Sequence, residues 1–188
     1  MRYEAIVIGV SAGGLAALSG ILGRLPPGFP LPVIVNQHRS KDERTLLEEI
    51  LQDKCLIRVR QAEEKEHIRG GVVYFAPPDY HLLIERDRTF SLTCDEPVNF
   101  SRPSIDPLFE TAAEVYGDRL IGVILTGYNS DGAAGIRAIR QRGGLTIAQD
   151  PEKAVFPEMP RAAIDTGSVQ HILAPAEITG FLLQMAEL

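Results

Sequence analysis

The chain has no tryptophan, two cysteines in 188 residues and no run of lysines or arginines. Each absence removes a class of function. Cys55 and Cys94 lack the close spacing of a structural zinc site, so they are expected to be reduced thiols used for packing. A net charge of -6 without a basic cluster argues against nucleic acid as a partner. No apolar stretch approaches the length of a membrane span, and no charged segment followed by a short apolar core opens the chain. No His, Asp or Glu residues fall at zinc or magnesium spacing. The expectation is a cytoplasmic protein that does not insert into a membrane and uses no metal or other cofactor.

What is present reads as one α/β domain over residues 1–188, with 45% hydrophobic and 23% charged residues. Near-continuous apolar runs recur as "AIVIGV", "LPVIVNQ", "LIGVILTG" and "GLTIAQ". Strands without polar alternation suit a parallel sheet covered on both faces. Helical patterns separate them. Leu15, Leu18, Leu22 and Leu25 form an apolar stripe stopped by Pro26-Pro27-Gly28. "SKDERTLLEEILQDKC" opens with Ser40 and Glu43 at capping-box spacing and offers Leu46, Leu47, Ile50 and Leu51 for burial. "PSIDPLFETAAEVYG", "SDGAAGIRAIRQRGG" and the C-terminal "AEITGFLLQMAEL" read as further helices. This alternation predicts a three-layer, doubly wound, mostly parallel sheet. One segment, "GVVYFAPPDYHLLIERDRTFSLT", lacks a helix and reads as an inserted antiparallel hairpin or meander.

Open α/β sheets place their sites at the carboxyl ends of strands. Ser11 follows the first apolar run, His38 follows the second and Asp131 follows "VILTGYNS". A hydroxyl, an imidazole and a carboxylate at one sheet edge are the set that a serine hydrolase needs: nucleophile, base and orienting group. "GVSAG" fits G-x-S-x-G, a tight strand-to-helix turn that presents a serine hydroxyl beside free helix N–H groups. The order Ser, His, Asp differs from the usual α/β-hydrolase order, which predicts a different fold with convergent geometry. A duller reading makes Ser11 and Asp131 helix N-caps and His38 a structural histidine. His67, in the charged run "AEEKEHIRG", reads as surface, and His81 and His171 as structural. Dinucleotide binding is a rival, but Ser11 stands where that fingerprint needs its second glycine, and no ribose-binding acid ends the second strand.

At these residues the sequence resembles the chemotaxis protein-glutamate methylesterases, the CheB catalytic domain. The resemblance runs through "IGVSAGGLAAL", "VNQH", "GVVYFAPPDYHLLI", "RPSIDPLF", "VILTGYNSDGAAGI", "GGLTIAQD" and "MPRAAIDTG". It implies a parallel sheet with flanking helices and one antiparallel hairpin. It also implies hydrolysis of glutamyl methyl esters on the cytoplasmic helices of methylated chemoreceptors, with deamidation of receptor glutamines. The family's nucleophile falls on Ser11, its base on His38 and its acid on Asp131. Three departures stand out. Ala12 replaces the family's usual Thr. "TGYN" replaces "TGMG", putting Tyr128 where the family has a methionine associated with an oxyanion N–H, so Ala12 and Tyr128 are the oxyanion and pocket candidates. The family's receiver domain has no counterpart ahead of the first strand, so the isolated chain is expected to be constitutively open, with any control coming from a regulator in trans or from a domain outside this sequence. The competing class is a non-catalytic module that keeps the fold and binds a receptor or signalling partner.

Overall fold

The apolar runs become strands of one parallel sheet in the computed structural model, which describes residues 2–39 and 46–187. β1 (Ala5–Val10) pairs with β2 (Val33–Gln37) on one side and β7 (Leu120–Ile124) on the other. β2 continues to β4 (Val72–Phe75) and β3 (Arg58–Gln61), and β7 to β8 (Leu145–Gln149) and β9 (His171–Leu173). The order is therefore β3-β4-β2-β1-β7-β8-β9, and each of these neighbouring strands pairs in parallel. A separate two-stranded antiparallel sheet joins β5 (His81–Ile84) to β6 (Phe90–Thr93).

Strand geometry sends alternate side chains to opposite faces, and both faces here are dry. Ile6, Ile8 and Val10 of β1 and Val33 and Val35 of β2 join one core, with α1 (Gly14–Leu22) and α6 (Pro175–Glu187). Ala5, Val7 and Ile34 join the other, with α3 (Ile105–Tyr116), α4 (Ala133–Gln141) and α5 (Glu158–Asp165). Each fully buried Ile or Val removes enough apolar surface to contribute about 1.5–3 kcal/mol. This two-sided burial is why the strands carry no polar alternation.

Several expectations need correction. Val72–Phe75 belongs to the main parallel sheet, so only the later half of the predicted insertion, His81 to Thr93, is antiparallel. Val72 and its neighbours are covered on both faces, and in a four-residue run that environment looks the same as a hairpin strand. β3, β9 and α5 had no predicted counterpart. Their patterns are short and mixed, with charged residues alternating in β3 and a proline inside α5. Leu18, Leu22 and Leu25 are buried, but Leu15 is exposed. α2 (Leu47–Gln52) buries Leu51, whereas Ile50 and the preceding Leu46 face outward. Its buried positions include Glu48, held by an ion pair to Arg39 at 2.7 Å. The Ser40–Glu43 capping box lies outside the described residues. Cys55 is buried as expected, but Cys94 is exposed. Among the described residues, no helix is long and apolar enough to cross a membrane.

Candidate active site

Two strand-to-helix turns of the same design hold the candidate nucleophile and acid. After β1, the chain passes Ser11 and Ala12 and turns through Gly13 at φ 76 into α1. After β7, a longer loop passes Asp131 and turns through Gly132 at φ 93 into α4. Both glycines sit in the left-handed region, which favours glycine over residues with a Cβ. A Cβ on Gly132 would also lie 2.4 Å from Ile124 Cδ1. The N-caps are the glycines themselves, with no side-chain cap bond, so neither Ser11 nor Asp131 caps the helix that follows it.

The turns are tied together across the sheet edge. Ser11 N–H donates to Thr126 O at 2.9 Å, and Thr126 Oγ1 donates to Ala12 O at 3.0 Å. Gln37, the last residue of β2, donates from Nε2 to Ser11 O at 2.9 Å. A Cβ on Gly127 would lie 3.0 Å from Ser11 Cβ, so the β7 loop passes directly over the serine. Beside this junction opens a cleft of about 980 Å³, lined by Ser11, Ala12, Gln37 and His38 and walled by Leu15, Leu46, Leu47 and Ile50.

His38 leaves the end of β2 and meets Asp131 at 2.6 Å through Nε2. Asp131 is fully buried and receives four further donor groups. Ile105 N–H lies at 2.7 Å, Asn99 Nδ2 at 2.8 Å, Ser104 Oγ at 2.9 Å and Asp106 N–H at 3.1 Å. Burial alone would push the Asp131 carboxyl up. The bonds from His38, Ile105 and Asn99 outweigh burial and hold it below its ordinary value. An ionised carboxylate only accepts, so His38 presents an Nε2–H to Asp131, and Nδ1 is the ring nitrogen turned away from it. Neither Nδ1 nor the Ser11 hydroxyl makes a hydrogen bond among the described residues. The site thus holds an oriented ring nitrogen and an unengaged hydroxyl on one cleft.

Asp106 behaves oppositely. It is buried beside Asp131, accepts from Gly135 N–H at 2.7 Å and from Asn99 Nδ2 at 2.8 Å, and burial pushes its carboxyl up, with the charge of Asp131 adding to the effect. The Asn99 amide therefore bridges two carboxylates.

Of the pocket candidates, Ala12 lines the cleft. The Tyr128 ring, 64% exposed, packs against Phe156 at a 36° tilt with centroids 4.1 Å apart and is not among the residues lining the cleft. His67 is exposed. His81 is buried, bonding Glu96 O at 3.1 Å and accepting from Ser104 N–H at 3.2 Å, and the His171 ring packs against Phe181. No group of three or more His, Cys, Asp or Glu side chains that could hold a metal occurs among the described residues.

The family model described as CheB methylesterase matches residues 6–182. The chain belongs to the CheB methylesterase family. Its fold matches the crystal structure of the Thermotoga maritima CheB methylesterase catalytic domain with a TM-score of 0.94 at 34% identity, covering 97% of this chain and 98% of that one. A Leptospira interrogans protein, provisionally named a protein-glutamate methylesterase/protein-glutamine glutaminase, is 53% identical over 98% of this chain and 96% of its own length. The protein-glutamate methylesterase/protein-glutamine glutaminase 1 of Carboxydothermus hydrogenoformans is 42% identical over 90% of this chain, but that match covers only 52% of its length.

Sequence reasoning missed the residues that hold the CheB-type site in place. Gln37 and Thr126 were legible as members of apolar runs and family blocks, with no role given to either side chain. Ser104 and Asp106 sit in "PSID", a stretch read as the start of a helix and as part of a family block, with no role given to either side chain. Asn99 carried no signal, because its role depends on a turn that brings it back over Asp131.

Proposed function

We propose that this protein is a serine-type carboxylic ester hydrolase that removes methyl groups from glutamyl methyl esters of chemoreceptors and also deamidates receptor glutamines. The observation that carries the reading is the 2.6 Å bond between His38 Nε2 and a buried, ionised Asp131, set beside the Ser11 hydroxyl on one cleft.

Ser11 Oγ attacks the ester carbonyl carbon while its proton passes to Nδ1 of His38. Asp131 steadies the imidazolium and keeps the ring in register. Negative charge gathers on the former carbonyl oxygen, and the backbone N–H groups of Ala12 and Tyr128 are the candidates to receive it. Collapse of that intermediate expels methoxide, which takes the His38 proton and leaves as methanol. Water then repeats the sequence on the acyl-serine, releasing the glutamate carboxylate and restoring Ser11. With a glutamine substrate, ammonia leaves in the first half. A backbone donor works whatever its side chain, so Tyr128 is compatible with turnover, and its ring is engaged with Phe156. The reaction is placed in the cytoplasm, where receptor helices are reachable, and control is assigned to a regulator in trans.

The deciding experiment is methanol release from methylated chemoreceptor membranes by the purified chain. Release above the no-enzyme control is expected. Failure on receptors and on simple esters alike would hand the fold to the non-catalytic, partner-binding reading.

A further inference from the structure

Val98, Asn99, Phe100 and Ser101 form a two-residue hairpin loop. Ser101 N–H donates to Val98 O at 2.9 Å and Val98 N–H to Ser101 O at 3.2 Å. Asn99 and Phe100 both take left-handed backbone, at φ 52 and 62. Asparagine suits that region, but the second position ordinarily belongs to glycine, and a bulky phenylalanine there is strained. The strain is held in place: Asn99 is bonded to Asp131 and Asp106, and Arg102 just beyond is paired with Asp79 at 2.6 Å. The Phe100 ring is 105% exposed. Strain maintained by surrounding bonds at a candidate active site is a reason to look for function.

A ring with this exposure has no neighbouring wall in its own chain, so it cannot line a pocket for a small molecule. Only a partner that brings its own surface can bury it. The flanking Asp95 and Glu96 are exposed, and the whole chain carries a net charge of -6. They repel an anionic membrane surface or a carboxylate-rich helix and tolerate a stretch whose glutamates are esterified and neutral. Across the Ser11–His38 junction, Leu15, Leu46 and Ile50 offer a second exposed apolar edge on the cleft wall.

We propose that Phe100 is a substrate-anchoring residue that packs against the apolar face of the receptor helix carrying the ester, while the cleft wall takes the opposite edge of that helix. This rests on the methylesterase reading above. An aromatic anchor held rigidly in advance loses little conformational entropy on binding, which suits it to this task.

Phe100→Gly removes the ring and fits the left-handed backbone, so the turn is kept. Its hydrolysis of 4-nitrophenyl acetate should stay within about twofold of the parent, while kcat/KM on methylated chemoreceptor membranes should fall about tenfold, carried by KM. Binding is read separately by co-sedimentation of Ser11→Ala, with and without Phe100→Gly, on receptor membranes and on receptor-free vesicles of the same lipids. Loss of the ring should weaken receptor-membrane binding about tenfold, with neither protein held by the vesicles. The anchor is overturned if receptor turnover and binding are unchanged, or if both esterase activities fall together. It is equally overturned if the ring drives binding to bare vesicles, or if it drives a dimer seen in sedimentation velocity. A parent protein that hydrolyses neither ester contradicts the methylesterase reading instead, and the sedimentation result then decides the role of the ring.

Discussion

Asp131 takes hydrogen bonds from five donor groups and is fully buried, whereas the Ser11 hydroxyl, at the other end of the same constellation, makes none among the described residues. The serine turn is fixed through its backbone instead, by Thr126 and Gln37. A carboxylate that must stay ionised under cover needs its lone pairs filled, and the donors come from α3, the Asn99 turn and β2 together. A nucleophile needs the reverse, with a fixed Cα and a side chain free to lose its proton. Fold stability and reactivity are therefore separated in space.

That separation can be broken from either end. The largest effect is expected from Ser11→Ala. Turnover should fall by about three to six orders of magnitude, because nucleophile and base act as a unit, while the melting temperature stays near that of the parent. Near-normal methanol release from this variant would remove Ser11 from the mechanism. Asp131→Asn should cost about 10³–10⁴ in kcat, since it spoils the ring tautomer. Unlike the serine variant, it should also lower stability by about 2–4 kcal/mol, because several buried donors lose their acceptor. Thermal melts of the two variants side by side decide the comparison, and equal melting temperatures would contradict it.

The neighbouring carboxylates sharpen the same contrast through pH. Asp131 is held below its ordinary 3.8, so its stabilisation is present above that value and is lost as pH falls through the lower folded-state value. Asp106 is pushed above 3.8, so its contribution is present at acid pH and is lost as pH rises through the raised value. Asp106→Asn should therefore gain in melting temperature relative to the parent between pH 4 and pH 7. A variant melting temperature that falls relative to the parent over that range would reverse the assigned direction. The smallest effect is expected at Tyr128. Tyr128→Met should change the esterase rate by less than about tenfold, because a backbone N–H is indifferent to its side chain. Losing the ring contact with Phe156 should cost about 0.5–1.5 kcal/mol in a denaturant titration.

The long strands and the three site positions were legible because each rests on a short-range pattern. β1, β2, β7 and β8 are near-continuous apolar runs covered on both faces, and the residue after such a run must emerge at the sheet edge. Ser11 and His38 follow that rule directly, and Asp131 follows it after a six-residue loop, 125–130. What escaped was set by distant partners. Nothing local marks Asn99 as a ligand of residue 131, nor Glu48 as a buried helix position satisfied by Arg39. Leu46 and Ile50 misled because helical spacing shows that residues share a face, not that the face has a partner.

The strand order has a practical consequence. Ser11 and His38 belong to the half of the sheet on the β2 side of β1, and Asn99, Ser104 and Asp131 to chain that follows the exposed stretch 94–98. The two halves touch along the β1–β7 ladder, from Ala5 opposite Leu120 to Gly9 opposite Ile124. Neither half holds a complete hydrolytic set. Ester cleavage should thus require coincidence of the two halves: a chain severed within 94–98 is expected to release no alcohol as separate fragments and to regain release only where they reunite.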